Sequence, residues 1–208
     1  MITKEQFNIL KVFKDNISKE LTFRQVKMES RQKSNNVMQM ALKKFQSLGI
    51  TKAHKIGNVT AYSLNLQNNL TLAFLNLLNQ KEIRDNRKVP KNILDEIQTR
   101  IFRCTRFFVL AVFGSYAENK ATRKSDLDIA VIVCTEESRK ETIPFIETIK
   151  RREVQDIDYH VFTEKEFIEM LESPEQNLGK EIYRKNIVYY GYINYLTIIR
   201  GITHETIG

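Results

Sequence analysis

Residues 114–133 read GSYAENKATRKSDLDIAVIV, with a Gly-Ser pair, a polar segment, and two aspartates that lead into an apolar run. The runs FFVLAVF at 107–113 and LDIAVIVC at 127–134 are both predicted to be buried strands, because each is apolar almost throughout. A glycine at the end of the first strand allows a sharp turn and leaves room for a phosphate. The stretch therefore predicts a tight turn, followed by a strand that begins with two carboxylates.

The two acids, Asp126 and Asp128, are predicted to lie together near the Gly114-Ser115 turn. Side chains two positions apart on a strand point to the same side of the sheet. Ser115 adds a hydroxyl, and a helix beginning after it would favour an anion. Adjacent carboxylates repel unless a cation lies between them, and Mg²⁺ prefers carboxylates together with substrate phosphates. The pattern predicts a metal and nucleotide site; the alternative is a pair of surface acids at a strand edge.

The stretch closely resembles the signature of the DNA polymerase β-like nucleotidyltransferase superfamily. The nearest branch is the minimal nucleotidyltransferases, with the pattern G-S-x-A-x-G-x(5)-S-D-x-D. The matching residues are Gly114, Ser115, Ala117, Ser125, Asp126 and Asp128. Asn119 stands where the family usually has glycine, and asparagine tolerates left-handed backbone geometry better than most residues. We therefore expect the loop to keep its conformation.

The resemblance implies a third acid on a neighbouring strand, and residues 154–163, VQDIDYHVFT, offer two. Asp158 fits the family pattern better, because an apolar residue precedes it and the strand then continues to a helix. Asp156 remains the alternative, since alternation places it on the same face. His160 would also face the site.

The resemblance also implies a reaction. Asp126, Asp128 and Asp158 would hold two Mg²⁺ ions, and Gly114, Ser115 and Ser125 would contact ATP or another nucleoside triphosphate. Attack on the α-phosphorus would transfer a nucleoside monophosphate and release pyrophosphate. Minimal nucleotidyltransferases often act as antitoxins that adenylylate a partner toxin, so the resemblance makes such a protein one candidate acceptor here. A nucleic-acid end or a small molecule is another candidate acceptor. A transcription regulator whose transferase-like domain only senses nucleotide is the alternative.

The positive charge of the chain is concentrated in its first third. The formal net charge is +8 at pH 7. Residues 1–66 contain 12 Lys and Arg against 4 Asp and Glu, whereas residues 67–208 contain 21 of each sign. This asymmetry suggests that the first segment binds a polyanion. A solvated basic surface without a partner is the alternative.

Residues 1–66 are predicted to form three helices followed by a small hairpin. Thr3 and Thr22 are candidate N-caps, each with a glutamine three residues later, as in a capping box. A third helix at 34–48 is predicted to bury Val37, Ala41, Phe45 and Leu48. A Gly-Asn pair at 57–58 supplies the hairpin turn. This order is typical of a winged helix-turn-helix, and it resembles the DNA-binding module of MarR-like and ArsR-like regulators.

On this interpretation the third helix is the recognition helix, and double-stranded DNA is the expected partner. The residues expected to contact DNA, on the outer side of that helix and on the hairpin, are Asn35, Asn36, Gln39, Lys43, Lys44, Lys52 and Lys55. A helical bundle with a basic surface is the alternative. A winged helix, then the Asp-x-Asp domain with LGKEIYRKNIVYYG at 178–191, is similar to an arrangement common in archaea.

The sequence pattern after residue 66 predicts the domain boundaries. Residues 67–91 are predicted to be a helical connector, whose apolar surface must be covered by the second domain or by another copy of the chain, as in a homodimer. Residues 92–208 are predicted to form the nucleotidyltransferase domain, with a helical segment at 176–200. The predicted fold class is α/β (α+β): a winged helix-turn-helix over residues 1–66, then a mixed sheet flanked by helices.

Composition favours a cytoplasmic protein without a membrane partner. The chain is 42% hydrophobic and 28% charged, and it has no apolar run long enough to cross a bilayer. Its first residues, MITKEQFNIL, lack the apolar core of a secretory signal. Cys104 and Cys134 are expected to be buried, reduced thiols.

Overall fold

The computed structural model describes residues 2–202. These form two compact units, an N-terminal unit up to Leu78 and a C-terminal unit from Asn79 onward. Helix α4, Asn69–Asp85, begins in the first unit and ends in the second. None of the helices within residues 2–202 has the length and apolar character that crossing a membrane requires.

The N-terminal unit combines three helices with a three-stranded sheet. Its elements in chain order are α1 Lys4–Lys14, β1 Leu21–Thr22, α2 Phe23–Glu29, α3 Asn35–Ser47, β2 Thr51–Ile56 and β3 Val59–Leu64. The strands are ordered β1-β3-β2 and all pairs are antiparallel. Gly57 and Asn58 form the turn that joins β2 to β3 as a hairpin, and Gly57 has a positive φ of 59°.

The helix boundaries of this unit follow from its caps. Thr3 and Thr22 each accept a hydrogen bond from the backbone of a glutamine three residues later, whose side chain binds back to the cap, so both predicted capping boxes are present. The Ser34 side chain caps α3 by accepting a hydrogen bond from the amide of Val37. A side-chain cap on a helix amide typically contributes about 1 kcal/mol.

The inner face of α3 differs from the predicted one by a rotation of the helix. The residues that α3 buries are Met38, Ala41, Leu42 and Phe45. Their spacing of three and four residues is that of a single helical stripe. Val37 and Leu48, which were expected in the core, lie at the edges of this stripe and are half-buried.

The C-terminal unit is built on a four-stranded mixed sheet. Its strands are β4 Phe108–Val112, β5 Leu127–Val133, β6 Ile157–Thr163 and β7 Ile187–Tyr190. Its remaining helices are α5 Lys91–Ile101, α6 Gly114–Ala117, α7 Glu136–Lys150, α8 Glu164–Glu172, α9 Leu178–Arg184 and α10 Tyr192–Arg200. The order is β6-β5-β4-β7, with β5 and β6 parallel and the other pairs antiparallel. The predicted mixed α+β class is confirmed.

The segment predicted to be helical at 176–200 contains an additional strand, so that part of the prediction was wrong. β7 pairs with β4 at the edge of the sheet. Gly191 follows it with a φ of +77°, and a Cβ atom there would lie 2.1 Å from the carbonyl oxygen of Phe108. The chain therefore turns against the backbone of β4 at this glycine, which separates the strand from α10.

The central strands provide the core of this unit. All five residues of β4 are buried, and β5 buries every residue except Asp128, which is half-buried. Both cysteines are free thiols, but Cys134 is exposed and Cys104 half-buried, so the expectation that both are buried was wrong. Cys134 follows the last residue of β5, where the chain leaves the sheet.

Candidate functional site

The first feature of the site is the close approach of Gly114 to Asp128. β4 ends at Val112, the amide of Phe113 donates to the carbonyl oxygen of Asp128 at 3.1 Å, and Gly114 then starts α6 with a φ of +59°. A Cβ atom on Gly114 would lie 2.1 Å from Oδ2 of Asp128. Both the backbone conformation and the space available therefore require glycine at this position.

Ser115 links the turn to the second acid and to the following loop. Its backbone N–H donates to the Asp128 carboxylate. Its carbonyl oxygen accepts from the amides of Lys120 at 2.9 Å and Ala121 at 3.1 Å. Asn119, within this loop, has a φ of +60°, which is the left-handed geometry expected of the residue that replaces the usual glycine. The loop is therefore closed by its own backbone.

Asp158 lies beside Asp128 on the neighbouring parallel strand. The two residues are direct register partners of β5 and β6, and paired strands lie about 4.8 Å apart. The carbonyl oxygen of Asp156 accepts from the amide of Leu127 at 2.8 Å, which fixes the start of this pairing. Asp126, Asp156 and Asp158 are exposed to solvent. The strand ends thus bring the predicted carboxylates to one edge of the sheet.

The electrostatic environment of Asp128 reflects this convergence of acids. Its pKa is raised above the usual aspartate value, first by burial and then by the negative charges of Asp158, Asp126 and Glu181, while the hydrogen bond from the Ser115 backbone opposes the increase. Like charges held near a half-buried carboxylate disfavour its ionised form. A cation bound at this edge would relieve the repulsion.

Glu181 was not identified from the sequence. It lies on α9, exposed, and it is the acid from outside the predicted set that raises the pKa of Asp128. No motif marks it, because its proximity to Asp128 arises only when α9 packs into the fold. The acidic character of the site is therefore greater than the Asp-x-Asp pattern alone indicates.

The donors at this edge have the right chemistry for Mg²⁺, although they do not form a complete metal cage. Across residues 2–202, no three His, Cys, Asp or Glu side chains are grouped closely enough to hold a metal by themselves. Mg²⁺ usually takes one or two carboxylates and completes its shell with waters and substrate phosphates. Half-buried Asp128 and exposed Asp126 and Asp158 are compatible with that type of site.

The loop before the acids is held by its own hydroxyl groups. Oγ of Ser125 accepts from the amide of Thr122 at 2.9 Å, and Oγ1 of Thr122 accepts from the amide of Lys124 at 3.3 Å. Arg123 and Lys124 are exposed. In this structure Ser125 shapes the loop that leads to Asp126.

His160 lies on the same side of β6 as Asp158. Its Nε2 atom is 3.6 Å from Oδ2 of Asp158, and its ring stacks against Phe162 with centroids 6.0 Å apart. The predicted orientation of His160 towards the acids is therefore confirmed.

The residues predicted to contact DNA lie mainly on an exposed surface of the N-terminal unit. Those fully exposed are Asn35, Asn36, Gln39, Lys43, Lys52 and Lys55, whereas Lys44 is half-buried. Oδ1 of Asn35 accepts a hydrogen bond from Nζ of Lys27 at 2.6 Å, so the amide oxygen of Asn35 already has a partner within the protein. The N-terminal unit extends to Leu78, and its residues 67–78 carry no charged side chain. The excess of +8 found in residues 1–66 is therefore the net charge of the whole unit.

Comparison with known proteins identifies one domain. Residues 102–188 match the family model described as "Nucleotidyltransferase domain". Neither a search of curated proteins nor a search of solved structures returns a match. The matched segment contains Gly114, Ser115, Asp126, Asp128 and Asp158 as well as Glu181. The chain thus carries a segment similar to a nucleotidyltransferase domain, which supports nucleotidyl transfer as its general reaction class.

Proposed function

We propose that the chain is a Mg²⁺-dependent nucleotidyltransferase that transfers AMP from ATP to an acceptor hydroxyl. The observation that carries the proposal is the contact between Gly114 and Asp128 at the strand ends, with Asp158 in register beside Asp128. A turn without a side chain, next to several carboxylates, suits a triphosphate and its counter-ion. The match of residues 102–188 supports the same reaction class.

In this proposal the turn binds phosphate and the acids bind metal. Gly114 and Ser115 receive the outer phosphates, and Ser125 keeps the intervening loop in place. Asp126, Asp128 and Asp158 would hold Mg²⁺, which when bound neutralises phosphate charge and activates the reacting oxygens.

The transfer step itself needs a base and an open path for the acceptor. Asp158 is well exposed, with 59% of its side chain accessible, and its carboxylate accepts the proton of the attacking hydroxyl. The acceptor oxygen forms a bond to the α-phosphorus, the bond from that phosphorus to the bridging oxygen breaks, and pyrophosphate leaves. His160, 3.6 Å from Asp158, lies where it can hold that carboxylate in place.

We propose that the N-terminal unit is a winged helix-turn-helix that binds double-stranded DNA. Two observations support this: the element order α1-β1-α2-α3-β2-β3 with its hairpin, and the concentration of the net charge of +8 in this unit. α3 would enter the major groove, and Lys52 and Lys55 of β2 would contact phosphates. DNA binding would place the transferase at a chosen locus, or allow it to control its own operon.

The proposed acceptor is a hydroxyl of a partner protein, which would give the chain an antitoxin role. The test uses ATP labelled on the α-phosphate and, separately, on the γ-phosphate, with Mg²⁺, alone and with the product of the adjacent gene. Nucleotidyl transfer predicts that the acceptor gains only the α-label and that pyrophosphate appears. Transfer of the γ-label would contradict the proposal, and binding of ATP without transfer to any acceptor would favour a nucleotide-sensing regulator.

A further inference from the structure

We propose that Gln155 is a positioning residue that fixes the relative placement of the phosphate turn and the two metal-binding strands. It lies in the turn between α7 and β6, three residues before Asp158, and its side chain is half-buried. The proposal rests on the proposed function, because it concerns how that same site is assembled. Neither the Asp-x-Asp signature nor any other sequence pattern marks this residue.

The amide group of Gln155 binds two different segments. Its Nε2 donates to Oη of Tyr116 in a short hydrogen bond and to the carbonyl oxygen of Ser125 at 3.3 Å. The carbonyl oxygen can only accept, so the atom that faces it must be the amide nitrogen. The two protons of one NH₂ group are therefore used by two acceptors.

These acceptors belong to the segments that carry the site. Tyr116 is on α6, the residue after Ser115, and it is buried, with 7% of its surface exposed. Ser125 directly precedes Asp126. Gln155 itself leads into β6, which carries Asp158. One amide group thus joins the phosphate turn, the start of β5 and the start of β6.

Two backbone hydrogen bonds already connect these segments in pairs. The amide of Phe113 joins the start of α6 to β5, and the amide of Leu127 joins β5 to the residue before β6, but neither bond connects α6 directly to β6. The Gln155 to Tyr116 bond supplies that third connection. Asp126 is exposed and lies before the first residue of β5, so its position depends on how the preceding loop is held. Loss of the amide would let Asp126 move relative to Ser115.

The experiment measures binding of ATP as a function of Mg²⁺ concentration, by calorimetry on the full chain. Gln155→Ala is expected to weaken MgATP binding about tenfold, the upper range for the loss of one or two hydrogen bonds, and to raise the Mg²⁺ concentration needed for half-maximal binding. Gln98→Ala removes the same type of side chain from α5, outside the site, and is expected to bind like the wild type.

Two further variants separate positioning from packing and from charge. Tyr116→Phe keeps the buried ring but removes the acceptor, so it should reproduce part of the loss of MgATP affinity. In the double variant, adding Gln155→Ala to Tyr116→Phe should weaken MgATP binding little further. Gln155→Glu keeps the length of the side chain and can still accept from the Tyr116 hydroxyl, but its carboxylate has no proton to donate to the carbonyl oxygen of Ser125. If residue 155 affects Mg²⁺ only through its charge, Gln155→Glu should bind Mg²⁺ more tightly than the wild type. If Gln155 acts by positioning, Gln155→Glu should bind Mg²⁺ more weakly.

Hydrogen exchange provides a readout that does not depend on nucleotide. The amides of residues 118–126 should exchange faster in Gln155→Ala and Tyr116→Phe than in the wild type, whereas amides of the N-terminal unit should exchange as before and the melting temperature should fall by no more than a few degrees. If wild-type chain binds MgATP and the Gln155 and Tyr116 variants bind it equally with the same Mg²⁺ requirement, the inference about Gln155 is overturned alone. If the wild-type chain binds no nucleoside triphosphate, the proposed function fails and the inference fails with it.

Discussion

A Cβ atom on Gly114 would lie 2.1 Å from Oδ2 of Asp128. Any residue other than glycine at position 114 would therefore clash with the Asp128 carboxylate. The contact joins the end of β4 to the start of β5, and the backbone N–H of Ser115 donates to the same carboxylate. The Gly114-Ser115 turn and the Asp128 carboxylate are therefore one structural unit. A change at either residue is expected to affect both.

The first prediction concerns Gly114→Ala. We expect it to reduce nucleotidyl transfer at least a hundredfold, because the added methyl group must displace the Asp128 carboxylate and the residue must keep a left-handed φ. Gly57→Ala is the matched control, since Gly57 has the same φ of +59° but no atom within 4 Å of its added Cβ. Transfer of α-label is the measurement. Equal activity in the two variants would show that the contact with Asp128 is unimportant.

The second prediction concerns the cost of keeping Asp128 ionised. Burial and neighbouring acids raise the pKa of Asp128 in the folded state above its value in the unfolded chain. Ionised Asp128 therefore lowers the free energy of unfolding at pH values above the folded-state pKa, and this penalty disappears at pH values below the unfolded-state pKa. Asp128→Asn should therefore raise the melting temperature of metal-free protein at pH 7 while abolishing transfer. The gain should shrink as the pH falls towards 4.

A matched substitution and added Mg²⁺ complete that test. Asp85→Asn replaces an exposed acid at the end of α4 and should leave the melting temperature at pH 7 nearly unchanged. Mg²⁺ should stabilise the wild-type chain but not Asp128→Asn. A lower melting temperature for Asp128→Asn at pH 7 would refute the interpretation.

The third prediction distinguishes the two candidates for the third acid. Asp158 is the register partner of Asp128, whereas Asp156 precedes β6 and contributes its backbone carbonyl to Leu127. Asp158→Asn should lower the rate of transfer by several orders of magnitude with little change in ATP affinity, and Asp156→Asn should retain most activity. The reverse order of activities would assign the role to Asp156.

The fourth prediction concerns the basic N-terminal unit. Replacing Lys43 and Lys44 of α3 with glutamine should weaken binding to a mixed-sequence DNA duplex and reduce the slope of log affinity against log salt by about 2, one for each phosphate contact. Lys4→Gln, on the exposed side of α1, is the control. Fluorescence anisotropy at several salt concentrations gives the slope. An unchanged slope in the double variant would remove α3 from the interface.

Several parts of this structure follow from local sequence rules. The capping boxes at Thr3 and Thr22, the hairpin turn and the strands around Gly114 each depend on neighbouring residues, and all were predicted. The left-handed Asn119 also follows from its own side chain, because asparagine accepts a conformation that most residues avoid.

The features that were missed depend on contacts between distant segments. β7 exists because its residues pair with the edge of β4, and an aromatic-rich run without that partner reads equally well as helix. Glu181 and Gln155 are separated in sequence from the residues they influence, so only the fold brings them to the site. The buried stripe of α3 was misjudged because a small rotation exchanges Val37 for Met38.

The most direct test of the central claim is transfer by an Asp126→Ala/Asp128→Ala double variant. The wild-type chain and the variant are incubated with α-labelled ATP, Mg²⁺ and the acceptor, and pyrophosphate release is measured in parallel. We predict that the wild type releases pyrophosphate and labels the acceptor, and that the folded variant does neither. Equal labelling and pyrophosphate release by both proteins would contradict the assignment of these two acids as the catalytic centre.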